Sequence, residues 1–248
     1  MSQTPPGSLH TDRNADLDLE ASFKAATKIG ECGCRLCRGQ EVSATAPTDE
    51  PPEEFIPMET SLLISRTFGD LTKDFISWEP GISETVDYYI SDLSVDNLFI
   101  SSSPVSAEYE LYINDIVEDT DSVIDLDFEE VDSITGAQII FVSTESYFGW
   151  GPGTLGQVVP IRRADKWLVL FRDTGNSDFD QNTIIHEFGH ALGLSHPGEK
   201  PNNPAYNTVE HTVMSYNNLN GQWGDLFTSN DLNALEQIWG SENDLSAI

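Results

Sequence analysis

Positive charge is scarce in this 248-residue chain: 12 lysines and arginines stand against 42 aspartates and glutamates, a net charge of −30. A surface of that sign repels phosphate backbones and anionic lipid headgroups, so neither nucleic acid nor a membrane is expected as a partner. No run of eighteen apolar residues occurs, which rules out the usual membrane-spanning helix. The first thirty residues lack a basic start followed by an apolar stretch, so no Sec-type leader is read there. Secretion by another route is expected, with a cytoplasmic location as the alternative. Only three cysteines are present, Cys32, Cys34 and Cys37. They are clustered and odd in number, which excludes a disulfide framework. Histidine is scarce as well, at five residues.

Three of those five histidines fall in one stretch, H-E-F-G-H-A-L-G-L-S-H-P from His186 to Pro197. On a helix, His186 and His190 share a face, four residues apart, within reach of one ion. His196 cannot continue that helix, because ten residues would carry it about 15 Å along the axis. The chain must stop and turn back, and Gly193 stands where a left-handed helix end is needed. His196 can then complete a three-nitrogen site with an open position for water, the donor set of a catalytic zinc. Glu187 points off the ligand line and is placed to take a proton. A buried helix with incidental histidines would need all five residues to coincide by chance.

The pattern H-E-x-x-H-x-x-G-x-x-H is the zinc signature of the metzincin metallopeptidases, which this chain resembles at His186, Glu187, His190, Gly193 and His196. Eighteen residues after His196, Val213-Met214-Ser215-Tyr216 is similar to that family's methionine turn. With the S-H-P-G run at 195–198 and the N-P-A-Y run at 203–206, it looks most like the serralysin branch. The resemblance implies an α+β zincin: a twisted, mostly parallel sheet with an antiparallel edge strand, packed on the active-site helix, followed by a small C-terminal subdomain with the methionine turn and a final helix. It implies one catalytic zinc held by His186, His190 and His196, with Glu187 as general base. Tyr216 would stabilise the oxyanion, and Met214 would support the metal from below. The segment near Leu155–Ile161 would be the edge strand to which an extended peptide adds, with Pro160 limiting the pairing at its end.

The remaining chain divides near residue 57. Residues 1–57 read as a disordered or pro-segment-like extension with the cysteine cluster, and 58–248 as the metallopeptidase-like domain. The cysteines read first as exposed or redox-active thiols and second as a thiolate latch on the metal, as in matrixin zymogens; three thiols fall one short of a structural zinc site. Residues 43–57, with four prolines and four acidic residues, form an extended linker. Strands are expected at Val86–Ile90, Ile124–Glu129, Ile139–Val142, Gln157–Ile161 and Trp167–Phe171. Ser103-Pro104 is expected to start a helix with Val105, Tyr109, Tyr112, Ile113 and Ile116 on its buried stripe. Asp173–Asp180 is a polar turn expected to cap the zinc helix through Asp180, with calcium as a second candidate. Thr228–Asp231 is a capping-box-like start for the final helix, which Gly240 ends.

The function expected is zinc-dependent endopeptidase action on proteins or peptides by a monomer, with a proteinaceous inhibitor as a further candidate partner. The alternative is a catalytically silent zinc-binding interaction protein. Asp244-Leu245-Ser246-Ala247-Ile248 is faintly similar to the serralysin export signal, whereas the G-G-x-G-x-D calcium repeats of secreted serralysins do not occur.

Overall fold

The computed structural model describes residues 58–80, 82, 84–151, 153–200, 208–218 and 222–242. The cysteine cluster, the linker, the N-P-A-Y run and the ending at 244–248 therefore lie outside the described residues.

A 3-10 turn at Thr60–Leu62 leads into helix α1, Arg66–Ile76. Strands β1 (Thr85–Ile90), β2 (Val95–Asp96) and β3 (Ile100–Ser103) follow, then helix α2 (Ala107–Asp121). Strands β4 (Asp127–Glu130), β5 (Ile139–Tyr147), β6 (Gly156–Ile161) and β7 (Lys166–Phe171) precede helix α3, Ser177–Ala191. A short 3-10 turn at Pro197–Glu199 and helix α4 (Ser229–Trp239) complete the order.

The sheet is mixed and mostly parallel, an α+β arrangement. β4, β1, β5 and β7 run parallel side by side, and β6 closes one edge antiparallel to β7. Among the described residues β6 pairs with β7 alone. The β2–β3 hairpin extends the sheet along the other half of β5. β7 and the first half of β5 are buried on both faces, as the apolar runs at Ile139–Val142 and Trp167–Phe171 require of central parallel strands. Ile139, Phe141, Trp167, Val169 and Phe171 join the helices in the main core. Ile140, Val142, Leu168 and Leu170 face a smaller second core with Ile100, Ile134 and Ala137.

Helix α3 is laid on the main-core face by aromatic contacts. Phe188 meets Phe141 at 5.6 Å and Phe128 at 6.0 Å between ring centroids. The Ser103-Pro104 helix start is corrected by three residues: Ser103 ends β3, and Ser106 caps α2 by accepting from the Tyr109 N–H. The expected stripe is otherwise in place, with Tyr109, Tyr112, Ile113 and Ile116 buried. The strand expected from Ile124 is also displaced. β4 begins at Asp127, because Ile124 instead bridges to Ser241 beyond the final helix.

Candidate active site

The site is built from one helix and the two segments that return to it. α3 ends where the sequence demands a stop. Gly193 takes φ +108°, its N–H donates to the His190 carbonyl at 3.1 Å, and the Leu194 N–H donates to the Gly189 carbonyl at 2.8 Å. These two bonds form a Schellman motif, which satisfies the last carbonyls of the helix. The exit is held from outside as well. Residues 64 and 194 form an antiparallel bridge, and the Ser195 N–H donates to the Leu63 carbonyl at 2.6 Å. α1 can lie across this turn only because Gly69 faces Gly193: a Cβ on Gly193 would sit 3.1 Å from the Gly69 Cα.

The turn returns His196 to the two helical histidines. The Nε2 atoms of His186 and His196 are 3.3 Å apart. One ligand nitrogen from each of the three rings falls within 4.8 Å of the others, and all three residues are buried. Two of the rings are oriented through their other nitrogen. His186 Nδ1 meets the Val213 carbonyl and His190 Nδ1 the Leu194 carbonyl, each at 2.8 Å. A carbonyl can only accept, so Nδ1 carries the proton and Nε2 presents its lone pair inward. Three converging imidazoles form a donor set that fits zinc. Among the described residues no other cluster of three or more histidine, cysteine or acidic side chains could hold an ion.

The capping role expected of Asp180 is corrected. Asp180 is buried inside the first turn of α3, and Asn176 is the cap residue. The Asp180 carboxylate accepts from the Thr174 N–H at 2.8 Å, the Thr174 hydroxyl at 2.6 Å and the Tyr109 hydroxyl at 2.8 Å. Its oxygens brace the turn and tie it to α2. Burial, then the bond to Asp180, raises the Tyr109 hydroxyl well above its ordinary value.

Glu187 lies on α3 beside the first histidine, 1 % exposed, and its Oε2 accepts from the Val158 N–H of β6 at 2.8 Å. Tyr216 packs its ring against His186 and His196, with centroids 5.4 Å and 4.8 Å away. Met214 is fully buried, and a Cβ on Gly189 would come within 2.9 Å of its Sδ. The structure thus brings the three histidines and Tyr216 together, with Glu187 next to His186 on α3 and Met214 against Gly189 of the same helix.

Sequence reasoning missed the brace beneath. Asp231 completes the capping box of α4 with Thr228, as the T-x-x-D pattern predicts, but its carboxylate also accepts from the Thr212 hydroxyl and from the Val213 N–H at 3.1 Å. Val213 therefore links a buried carboxylate on one side to the His186 ring on the other. Burial raises the Asp231 carboxyl above its ordinary value, while bonds from Thr212, Val213 and Thr228 oppose the shift. No signal in the sequence separates this aspartate from an ordinary capping residue.

No family model matches the sequence. Serralysin C of Dickeya chrysanthemi is 31 % identical over 87 residues, covering 28 % of this chain and 18 % of that protein. Serralysin G of the same organism is 32 % identical over 80 residues, covering 26 % and 17 %. Serralysin of Proteus mirabilis is 24 % identical over 144 residues, covering 49 % of this chain and 28 % of that protein. The chain thus spans well under a third of the length of the relatives it matches. A solved structure of myroilysin aligns with a TM-score of 0.42 at 14 % identity, covering 73 % of this chain and 100 % of that one, a weak overall likeness.

A mostly parallel sheet, a helix bearing His-Glu and His four residues on, and a third histidine returned by a glycine turn make the chain metzincin-like. The curated relatives that it matches over part of its length are serralysins.

Proposed function

We propose that residues 58–248 form a zinc-dependent endopeptidase domain that hydrolyses peptide bonds in proteins or peptides. The observation that carries the reading is the convergence of the three buried histidine nitrogens within 4.8 Å. Glu187 and Tyr216 stand beside them, two groups for which a purely structural ion has no use. His186, His190 and His196 would hold the ion. When bound, zinc supplies Lewis acidity, acidifying water and polarising a carbonyl.

The chain's own residues supply the rest. Glu187 takes the proton of the attacking water and delivers it to the leaving amine, a transfer that typically contributes about 10²- to 10⁴-fold in rate. The Tyr216 hydroxyl donates to the oxygen that gains charge in the transition state. β6 offers its free edge to an extended peptide. The parity of the ladder decides which residues face outward. Arg172 N–H donates to the Leu155 carbonyl, so Leu155, Gln157, Val159 and Ile161 turn toward β7, and Gly156, Val158 and Pro160 face the open side. A proline there removes no bond of the sheet.

Secretion belongs to the same proposal. So does the role of the 1–57 segment, including the thiols at Cys32, Cys34 and Cys37. Glu187→Gln tests the reading: the variant should bind zinc as the wild type does and lose hydrolysis. Undiminished hydrolysis by the zinc-loaded variant would refute the assignment of the base. Zinc binding without hydrolysis in the wild type would favour the interaction protein instead.

A further inference from the structure

The edge strand β6 does more than border the site. Its Val158 N–H points to the open side of the sheet, where an edge strand normally leaves its amides to solvent or to an added strand. Here that amide donates to Glu187 Oε2 at 2.8 Å, a contact made across 29 residues of sequence in a buried setting. A bond from an amide to an ionised acceptor is short and directional, so it fixes which way the carboxylate faces. The close approach has a steric condition. A Cβ on Gly156, two residues before Val158 on the same strand, would lie 2.6 Å from Thr183 Cγ2, 2.9 Å from Glu187 Cγ and 3.1 Å from Glu187 Oε1. No ordinary side chain fits there without moving Glu187 or separating β6 from α3. Gly156 is therefore a glycine because of what its missing Cβ would strike on the helix, and its backbone angle is not the reason.

We propose that Gly156 and Val158 are positioning residues for Glu187. Val158 reserves its N–H for the general base, and Gly156 keeps the space through which the base reaches it. The inference rests on the proposed hydrolytic role of Glu187, and it changes the expected mode of peptide binding. With the Val158 amide committed and Pro160 lacking one, the middle of the open edge offers a substrate mainly carbonyl acceptors. An added peptide is then held chiefly through its own N–H groups donating to β6.

The contact is tested without catalysis by amide hydrogen exchange on the full chain, comparing wild type with Glu187→Ala. Exchange at Val158 should accelerate about tenfold or more in the variant, as expected for loss of a bond to a charged acceptor. The amides of Gln157 and Val159, which face β7, should not change. Equal Val158 exchange in both proteins overturns the proposal. The kinetic arm uses Val158→Pro, which removes the amide at an outward position, and Gly156→Ala combined with Thr183→Ser, which relieves the Thr183 Cγ2 collision and leaves that with Glu187. Both should lower kcat by about tenfold or more with KM within about twofold and zinc affinity unchanged. A rise in KM at constant kcat in Val158→Pro would show that substrate takes the amide, and full recovery in the Gly156→Ala/Thr183→Ser pair would show that Glu187 is not what glycine protects. If the wild type proves to hydrolyse nothing, the proposed function fails by that result alone, and the exchange comparison still decides the contact.

Discussion

Removing the Asp231 carboxylate should loosen both the fold and the metal site, by amounts that the geometry bounds. Asp231 is 0 % exposed and accepts from the Thr212 hydroxyl, from Val213 N–H at 3.1 Å, and from Thr228 N–H and hydroxyl at 2.9 and 2.8 Å. Asp231→Ala strips these neutral donors of their acceptor; at about 1–3 kcal/mol for each buried donor left unsatisfied, the loss is about 3–5 kcal/mol. For a domain of this size that is a fall of about 6–20 °C in Tm. Asp231→Asn keeps the shape and one oxygen, so its cost should be about 1–2 kcal/mol. Because Val213 also orients His186 through its carbonyl at 2.8 Å, Asp231→Ala should weaken zinc binding by about 10- to 100-fold, the effect of losing an outer-shell support. Thermal unfolding of the metal-free protein followed by circular dichroism reads the first effect, and chelator competition reads the second. A loss under about 1 kcal/mol in Asp231→Ala, or equal losses in the two variants, would refute the reasoning.

Further outcomes follow from the same structure. Burial raises the folded Asp231 carboxyl above its ordinary 3.8, so the folded state holds that proton more tightly than the unfolded chain. This contribution is complete below 3.8 and is lost as pH rises through the folded value. The stability of the wild type relative to Asp231→Asn should therefore fall as pH rises from about 4, as read by denaturant unfolding across pH. Gly193→Ala forces a Cβ to 3.1 Å from Gly69 Cα at φ +108°, and should cost about 1–3 kcal/mol in chemical denaturation. Tyr216→Phe should leave zinc content and Tm unchanged and lower kcat by about 10²- to 10³-fold, the effect of losing one oxyanion donor. Alkaline spectrophotometric titration should show Tyr88 and Tyr147 ionising at about 12, since burial raises both. Their contribution to stability should be present below 10 and lost as pH rises toward about 12.

What the sequence revealed and what it hid divide along a physical line. The helix, the stop at Gly193 and the return of His196 follow from spacing and from one glycine's conformational freedom, both local properties. The buried runs at Ile139–Val142 and Trp167–Phe171 were legible for the same reason, because two-faced burial leaves no alternation. α1 was not anticipated. Its stretch, R-T-F-G-D-L-T-K-D-F-I, carries a glycine and two threonines, all poor helix formers. Packing decides there, with Gly69 against Gly193 and Phe68 and Phe75 against Trp167 at 5.9 and 5.5 Å. Ser103 and Ser106 both offer a capping hydroxyl, and the β3–β5 pairing takes Ser103 into the sheet. The Glu187–Val158 bond and the Asp231–Val213 brace join residues 29 and 18 positions apart. No local pattern encodes either of them.

The most direct test of the central claim is hydrolysis of an unstructured protein substrate by the full chain, assayed as prepared, after chelation, and after return of one equivalent of zinc. The three converging histidines predict cleavage that disappears with the metal and returns with it. Cleavage that survives complete removal of zinc, or zinc-loaded protein that cleaves nothing, would contradict the account.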